Sequence, residues 1–176
     1  MKTLNSILTV TLLLLTLTVA SQTKQTKEQA VAFINQKMNE AKNKTLASSL
    51  PGFANKLESV SLRLDTGNTL LYEYRMEMLF NGSKNVLIGK NRFSPADISA
   101  IVLLSKKPNN KGTGYFSVEF ERDKVHSESK LNNADIKFDK TSEVRIHFLQ
   151  SDKKLFKEIE TAFLRLKEIY KSEEKK

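Results

Sequence analysis

"LESVSLRLDTGNTLLYEYRMEMLF", residues 57–80, alternates apolar and polar side chains on both sides of a turn. Val60, Leu62 and Leu64 stand against Ser61 and Arg63. After "DTGN", Tyr72, Tyr74, Met76, Met78 and Phe80 stand against Glu73, Arg75 and Glu77. A period of two is that of a strand with one face covered, so the stretch predicts an antiparallel hairpin with one wet face.

The same period continues outward. "NGSK", residues 81–84, is a second tight turn because Asn-Gly readily takes positive φ. A third strand follows over 85–93, with Gly89 marking a bulge or bend. "ISAIVLLSK", residues 98–106, is apolar without alternation and predicts a strand buried on both faces or covered by a helix. "KKPNNKGTG" is a loop, 106–114, and strands follow over 115–122 and 143–149. Residues 125–138 read as one broken strand around "LNNAD".

Helical signals lie at the two ends of this run. Thr26 and Gln29 form a capping box, and Val31, Ile34, Met38 and Ala41 share one face, predicting a helix over 27–42. Leu46, Leu50 and Phe53 suggest a short helical turn ended by Pro51-Gly52. After a cap at Ser151 or Asp152, the residues Leu155, Ile159, Ala162, Leu166 and Ile169 step by four and three, widened by Phe156, Phe163 and Tyr170 into a broad face that suits a sheet. The fold class is therefore α+β: an N-terminal helix, six to seven antiparallel strands, and a long C-terminal amphipathic helix.

Lys2, the apolar run 7–20 and the small residues Val19, Ala20 and Ser21 have the form of a secretory signal peptide, too short to span a bilayer. The expected cut follows Ser21, with Ala20 as the alternative, giving a secreted or periplasmic protein without a transmembrane anchor after processing. Removal of residues 1–21 from the 176 leaves 155, divided into an N-terminal helix and connection (22–56) and a barrel-like domain with its helix (57–176). Cysteine is absent, which excludes a lipidated Cys, a disulfide framework and Cys nucleophiles. The net charge of +9 falls to +8 without Lys2, and the twenty acidic residues interleaved with the basic ones do not suit a nucleic-acid footprint.

This element order, with a leader ending in "SQTK", a helix "TKEQAVAFIN" and a closing "AFLRLKEIY", resembles small uncharacterised secreted proteins of Bacteroidota. Seven antiparallel strands closed by one helix also resemble the pleckstrin-homology-like domain, in which the helix plugs one end of two nearly orthogonal sheets. A lipocalin-like barrel and a helix-grip fold share the elements, but a lipocalin's Gly-x-Trp start is missing because Trp is absent.

The chemistry-bearing residues are few. His126 and His147 are the only histidines, and no Gly-x-Ser-x-Gly precedes a helix. Ser127 and Ser129 adjoin His126 in sequence, yet chain neighbours on a strand point apart. His147 reads as a solvated residue on the polar face of the last strand. His126 and Glu128 share one strand face but lack the third ligand a zinc site needs. Glu73 and Glu77 are about 13 Å apart along a strand, too far to cooperate at a glycosidic bond. Gly112 and Gly114 lack the Lys and helix of a phosphate loop.

Basic residues are the remaining candidates for an anion site: Lys106, Lys107 and Lys111 in one loop, with Lys84, Lys90 and Arg92 on or beside a neighbouring strand. The pleckstrin-homology resemblance would put phosphate ligands at the first hairpin, which carries only Arg63. The residues imply a non-enzymatic binding or interaction module with no cofactor and no metal. Its partner is unknown, with a protein or an anionic surface left open. The alternative is a carrier holding a small apolar ligand under the C-terminal helix.

Overall fold

The computed structural model describes residues 25–47, 53–104, 113–149 and 153–175. The expected leader, Leu50 to Gly52, the loop lysines 106, 107 and 111 and the cap at Ser151 or Asp152 lie outside the described residues.

Helix α1 (Lys27–Asn39) starts as the sequence predicts, with the Thr26 hydroxyl accepting from Gln29 N–H and the Gln29 side chain accepting from Thr26 N–H. It buries Ala30, Val31, Ile34 and Met38. Strand β1 (Thr45–Ala47) replaces the expected helical turn, pairing with residues 54–56. The long meander β2 (Phe53–Asp65), β3 (Thr69–Phe80) and β4 (Ser83–Phe93) is joined by the two predicted turns, in which Gly67, Asn68, Asn81 and Gly82 take positive φ. A 3-10 turn (Pro95–Asp97) leads to β5 (Ile98–Leu103). There follow β6 (Thr113–Phe120), β7 (Val125–Leu131), β8 (Lys137–Thr141), β9 (Glu143–Leu149) and helix α2 (Lys153–Glu173).

Nine antiparallel strands among the described residues thus exceed the six or seven expected, by β1 and by the division of 125–138 into β7 and β8. The division is made at Asn132, at φ 52°. Its backbone N–H donates to Val86 C=O, and its side-chain oxygen accepts from Val86 N–H, so the turn is tied to the start of β4.

The strands form a six-stranded sheet, β1-β2-β3-β4-β7-β8, and a three-stranded sheet, β5-β6-β9. The chain passes between them through the 3-10 turn, through residues 121–124 and through Ser142 alone. β5 is not buried on both faces; of the two expectations for its apolar run, cover by a helix is the one met, since α2 packs against this sheet. Ile98 is buried and Ile101 and Leu103 pack on the core, while Val102 on the other face is 38 % exposed.

Helix α2 covers the aromatic face of the small sheet. Phe116 of β6 lies 5.5 Å from Phe148, 6.0 Å from Phe156 and 6.1 Å from Phe163 between ring centroids. Leu155, Ile159, Ala162, Phe163, Leu166 and Tyr170 are buried, as the stripe predicts, while its Phe156 and Ile169 are half-buried. Helix α1 covers the edge of β2 beyond β1: Asn35 Oδ1 accepts from Leu62 N–H at 3.0 Å, and Asn39 Nδ2 donates to Val60 C=O at 3.4 Å. Sheet edges left bare invite pairing with other chains, and here two amide side chains occupy the edge instead. The helices meet where Lys27 Nζ stands 3.9 Å from the Tyr170 ring centroid and pairs with Glu173. No described helix is long and apolar enough to cross a membrane.

Candidate functional site: a cleft between the two sheets

The six-stranded sheet has one face toward the interior. Its cross-strand row Leu62, Tyr72, Asn91, Ser127, Asp139 runs from β2 to β8 and changes along its length from apolar to polar. Over the apolar half the core closes: Leu62 and Tyr72 are buried. Over the polar half it does not close, and a cleft of about 630 Å³ opens between this sheet and the β6–β9 edge of the other. Its size falls in the range of small-molecule sites.

The floor is made by Tyr74, Met76, Asn91, Ser127 and Asp139; Phe53 and Asn55 close one side, and Tyr115, Arg145 and His147 form the opposing wall. Tyr74 is held low by Gly89, its directly opposite neighbour on β4. The ring occupies the space in which a Cβ at Gly89 would stand. Gly89 pairs in regular register with Tyr74 and Ser129, so it marks a close approach and not the bulge expected there. The bulges lie instead at the Leu57/Ser59 and Ile98/Ala100 steps.

His147 departs from its expected place on a solvated face. β9 lies between the aromatic core and the cleft, and at His147 both faces of the strand are enclosed, while Arg145 on the cleft side stays exposed. Phe148 is fully buried on one side, and on the other the His147 ring sits 5.9 Å from Tyr115 between centroids. Burial pushes the imidazole down to about 4, which leaves it neutral at pH 7. Its Nδ1 is enclosed without a hydrogen-bond partner among the described residues, as is Asn55 Oδ1. Burial likewise pushes the Tyr72 and Tyr74 phenols up.

One charged pair lines the cleft. Arg145 donates to Glu143 through Nε at 2.6 Å and through Nη2 at 3.4 Å. That guanidinium holds the Glu143 carboxyl below the usual carboxylate range. Asp139 is exposed and carries the remaining charge of the lining; its Oδ1 accepts from Lys140 N–H at 2.8 Å.

Of the residues singled out in the sequence, His147 and Ser127 line this cleft, and the other described ones lie away from it. His126 is exposed on the opposite face of the six-stranded sheet, in register with Arg92 and Lys140, and Glu128 shares that face. Ser127 points into the cleft, so the expectation that it and His126 diverge holds. Glu73 and Glu77 are on the outer face and ion-paired, Glu73 with Arg63 and Lys90, Glu77 with Lys84. Arg92 is held by Asp65 at 2.6 Å. The described part of the basic group, Lys84, Lys90 and Arg92, thus spends each cation on a neighbouring carboxylate. β4, which carries them, belongs to the six-stranded sheet, while β5 and β6 belong to the three-stranded one. Among the described residues no group of three His, Asp or Glu side chains is placed to hold a metal.

The signal for the cleft was present in "HSESK" and "KFDKT", strands in which neither face is apolar. A strand without an apolar face has no core to cover. Compared with known proteins, the chain matches no family model, no curated protein and no solved structure.

Proposed function

We propose that the chain is a secreted or periplasmic binding module, without catalytic activity of its own, that takes a small molecule in the cleft between its two sheets. The observation that carries the reading is the inward-facing polar row Asn91, Ser127, Asp139. Beside it, Asn55 Oδ1 and His147 Nδ1 are enclosed in the same lining without a partner among the described residues, and buried polar groups cost stability unless they find partners. A bound ligand supplies those partners.

The location differs from that of an apolar carrier. Among the described residues Phe116, Phe148, Phe156 and Phe163 pack together beneath α2, whereas this cleft lies on the other face of β9 and has a mixed lining. We read the body as pleckstrin-homology-like, with β7–β8 as an added hairpin; support for this is the two-sheet arrangement followed by a closing helix, and it implies no ligand. A screen of polar fragments with amide-shift mapping tests the binding reading. Hits whose shifts gather on Asn91, Ser127, Asp139 and Arg145 support it. Hits that scatter over the surface, or none, overturn it.

A further inference from the structure

We infer that the ligand of this cleft is an uncharged saccharide of one or two rings; the inference rests on the small-molecule reading above and names its chemistry. The lining argues by what each class of ligand would leave unsatisfied.

An apolar ligand would strip water from Asn91, Ser127, Asp139 and Thr141 and return no hydrogen bonds. An anion would meet Asp139 and Glu143, while the one guanidinium of the lining is engaged by Glu143. A small planar aromatic fits the rings but carries few polar atoms for amides, hydroxyls and carboxylates placed around it. A pyranose meets all of these demands. Each of its hydroxyls both donates and accepts, so carboxylate and amide groups can each engage a neighbouring pair of them. Its C–H face is apolar and needs a flat partner.

Tyr74 is that partner. Its ring is braced from beneath by the Gly89 backbone and lines the cleft floor, with Tyr115 and Phe53 at the margins. The polar row Asn91, Ser127, Asp139 runs past the ring on the adjoining strands, where in-plane hydroxyls would project. The inward Gly on β4 is what allows an aromatic to lie low beside a polar row.

The test uses the protein recovered from a secreting host, with saturation-transfer NMR and amide-shift mapping. The probes are the methyl glycosides of glucose, galactose, mannose and N-acetylglucosamine, with maltose, cellobiose and lactose; phenol and benzamidine serve as aromatic controls and inorganic phosphate as the anion. The expected result is that at least one glycoside or disaccharide shifts the amides of Asn91, Ser127 and Asp139, and that Tyr74→Leu and Asp139→Asn each weaken it about tenfold or more. Asp139 is exposed, so Asp139→Asn serves if Tyr74→Leu does not fold. Cleft shifts with phenol, benzamidine or phosphate but with no saccharide would overturn the saccharide and leave the small-molecule reading standing. Saccharide binding unmoved by both variants would overturn the placement, and no response to any probe would overturn both readings together.

Discussion

The ring of Tyr74 occupies the position a Cβ would take on Gly89, across the β3–β4 ladder. The atoms in the way belong to the far end of the tyrosine, so in Gly89→Ala the ring can swing aside. The expected cost in stability is about 1 kcal/mol, the low end of what an extra methyl in a packed site costs. The ring should move into the cleft, and the cost should vanish in the Tyr74→Leu background, a double-mutant cycle that urea melts of the four proteins can close. Equal costs in both backgrounds would show that the contact does not matter.

Phe163, fully buried against Phe116, and Leu164, 43 % exposed one residue later, test the docking of α2. Phe163→Ala should lose about 3 to 5 kcal/mol, and Leu164→Ala no more than about 0.5 kcal/mol. Denaturant melts measure both. Equal losses would mean that the helix does not pack as described.

His147 makes stability depend on pH in a fixed direction. The unfolded chain takes up a proton near the ordinary value of 6.5, the folded one only near 4. Stability is therefore full above about pH 6.5 and falls as the pH drops toward 4, by up to about 3 kcal/mol. The carboxylates of Asp65, Glu77 and Glu143, held low by Arg92, Lys84 and Arg145, add their own loss at still lower pH. Urea midpoints between pH 4 and 7 should decline in the wild type and flatten in His147→Gln; a decline unchanged in that variant would refute the assignment.

Asn35 is expected to protect one amide in particular. Its side chain accepts from Leu62 N–H at the edge of β2, and Asn35→Ala should cost about 1 to 2 kcal/mol. Hydrogen exchange at Leu62 should speed up with it. An unchanged exchange rate would show that α1 shields the edge by bulk alone.

Processing is the last expectation. Expressed with its leader in a bacterial secretion host, the protein should be recovered beginning at Gln22, with the start at Ser21 as the alternative. Intact-mass measurement distinguishes these from a product that retains Met1.

What could be read directly from the residues was whatever depends on a single segment. The Thr26–Gln29 box, the stripe from Leu155 to Tyr170 and the alternation in 143–149 each specify their own element, and each appears with its buried face as expected. What could not be read depends on partners distant in the chain. β1 is too short to show a period and exists because residues 54–56 pair with it. Gly89 looked like a bend because its reason, Tyr74, becomes its neighbour only through the hairpin. The cleft needs Asn91, Ser127 and Asp139 in one row and His147 opposite, and four strands supply them. His147 seemed solvated for the same reason: alternation shows which face of a strand is polar, but not that a second sheet stands over that face.

The order of the strands bears on how the chain can reach this state. β5 and β6 are inserted between β4 and β7, which pair, while β7 and β8 are inserted between β6 and β9, which also pair. Each sheet thus closes across a segment belonging to the other. The β2–β3–β4 meander and the β5–β6 and β7–β8 hairpins can form from local contacts, but the β4–β7 and β6–β9 ladders must bridge longer stretches of chain before any reward is gained, the situation in which high contact order slows folding. Completing either sheet therefore means closing a loop that contains strands of the other. Cleavage or truncation within either insertion should therefore cost the whole structure, and the body should melt as one cooperative unit with no separable half.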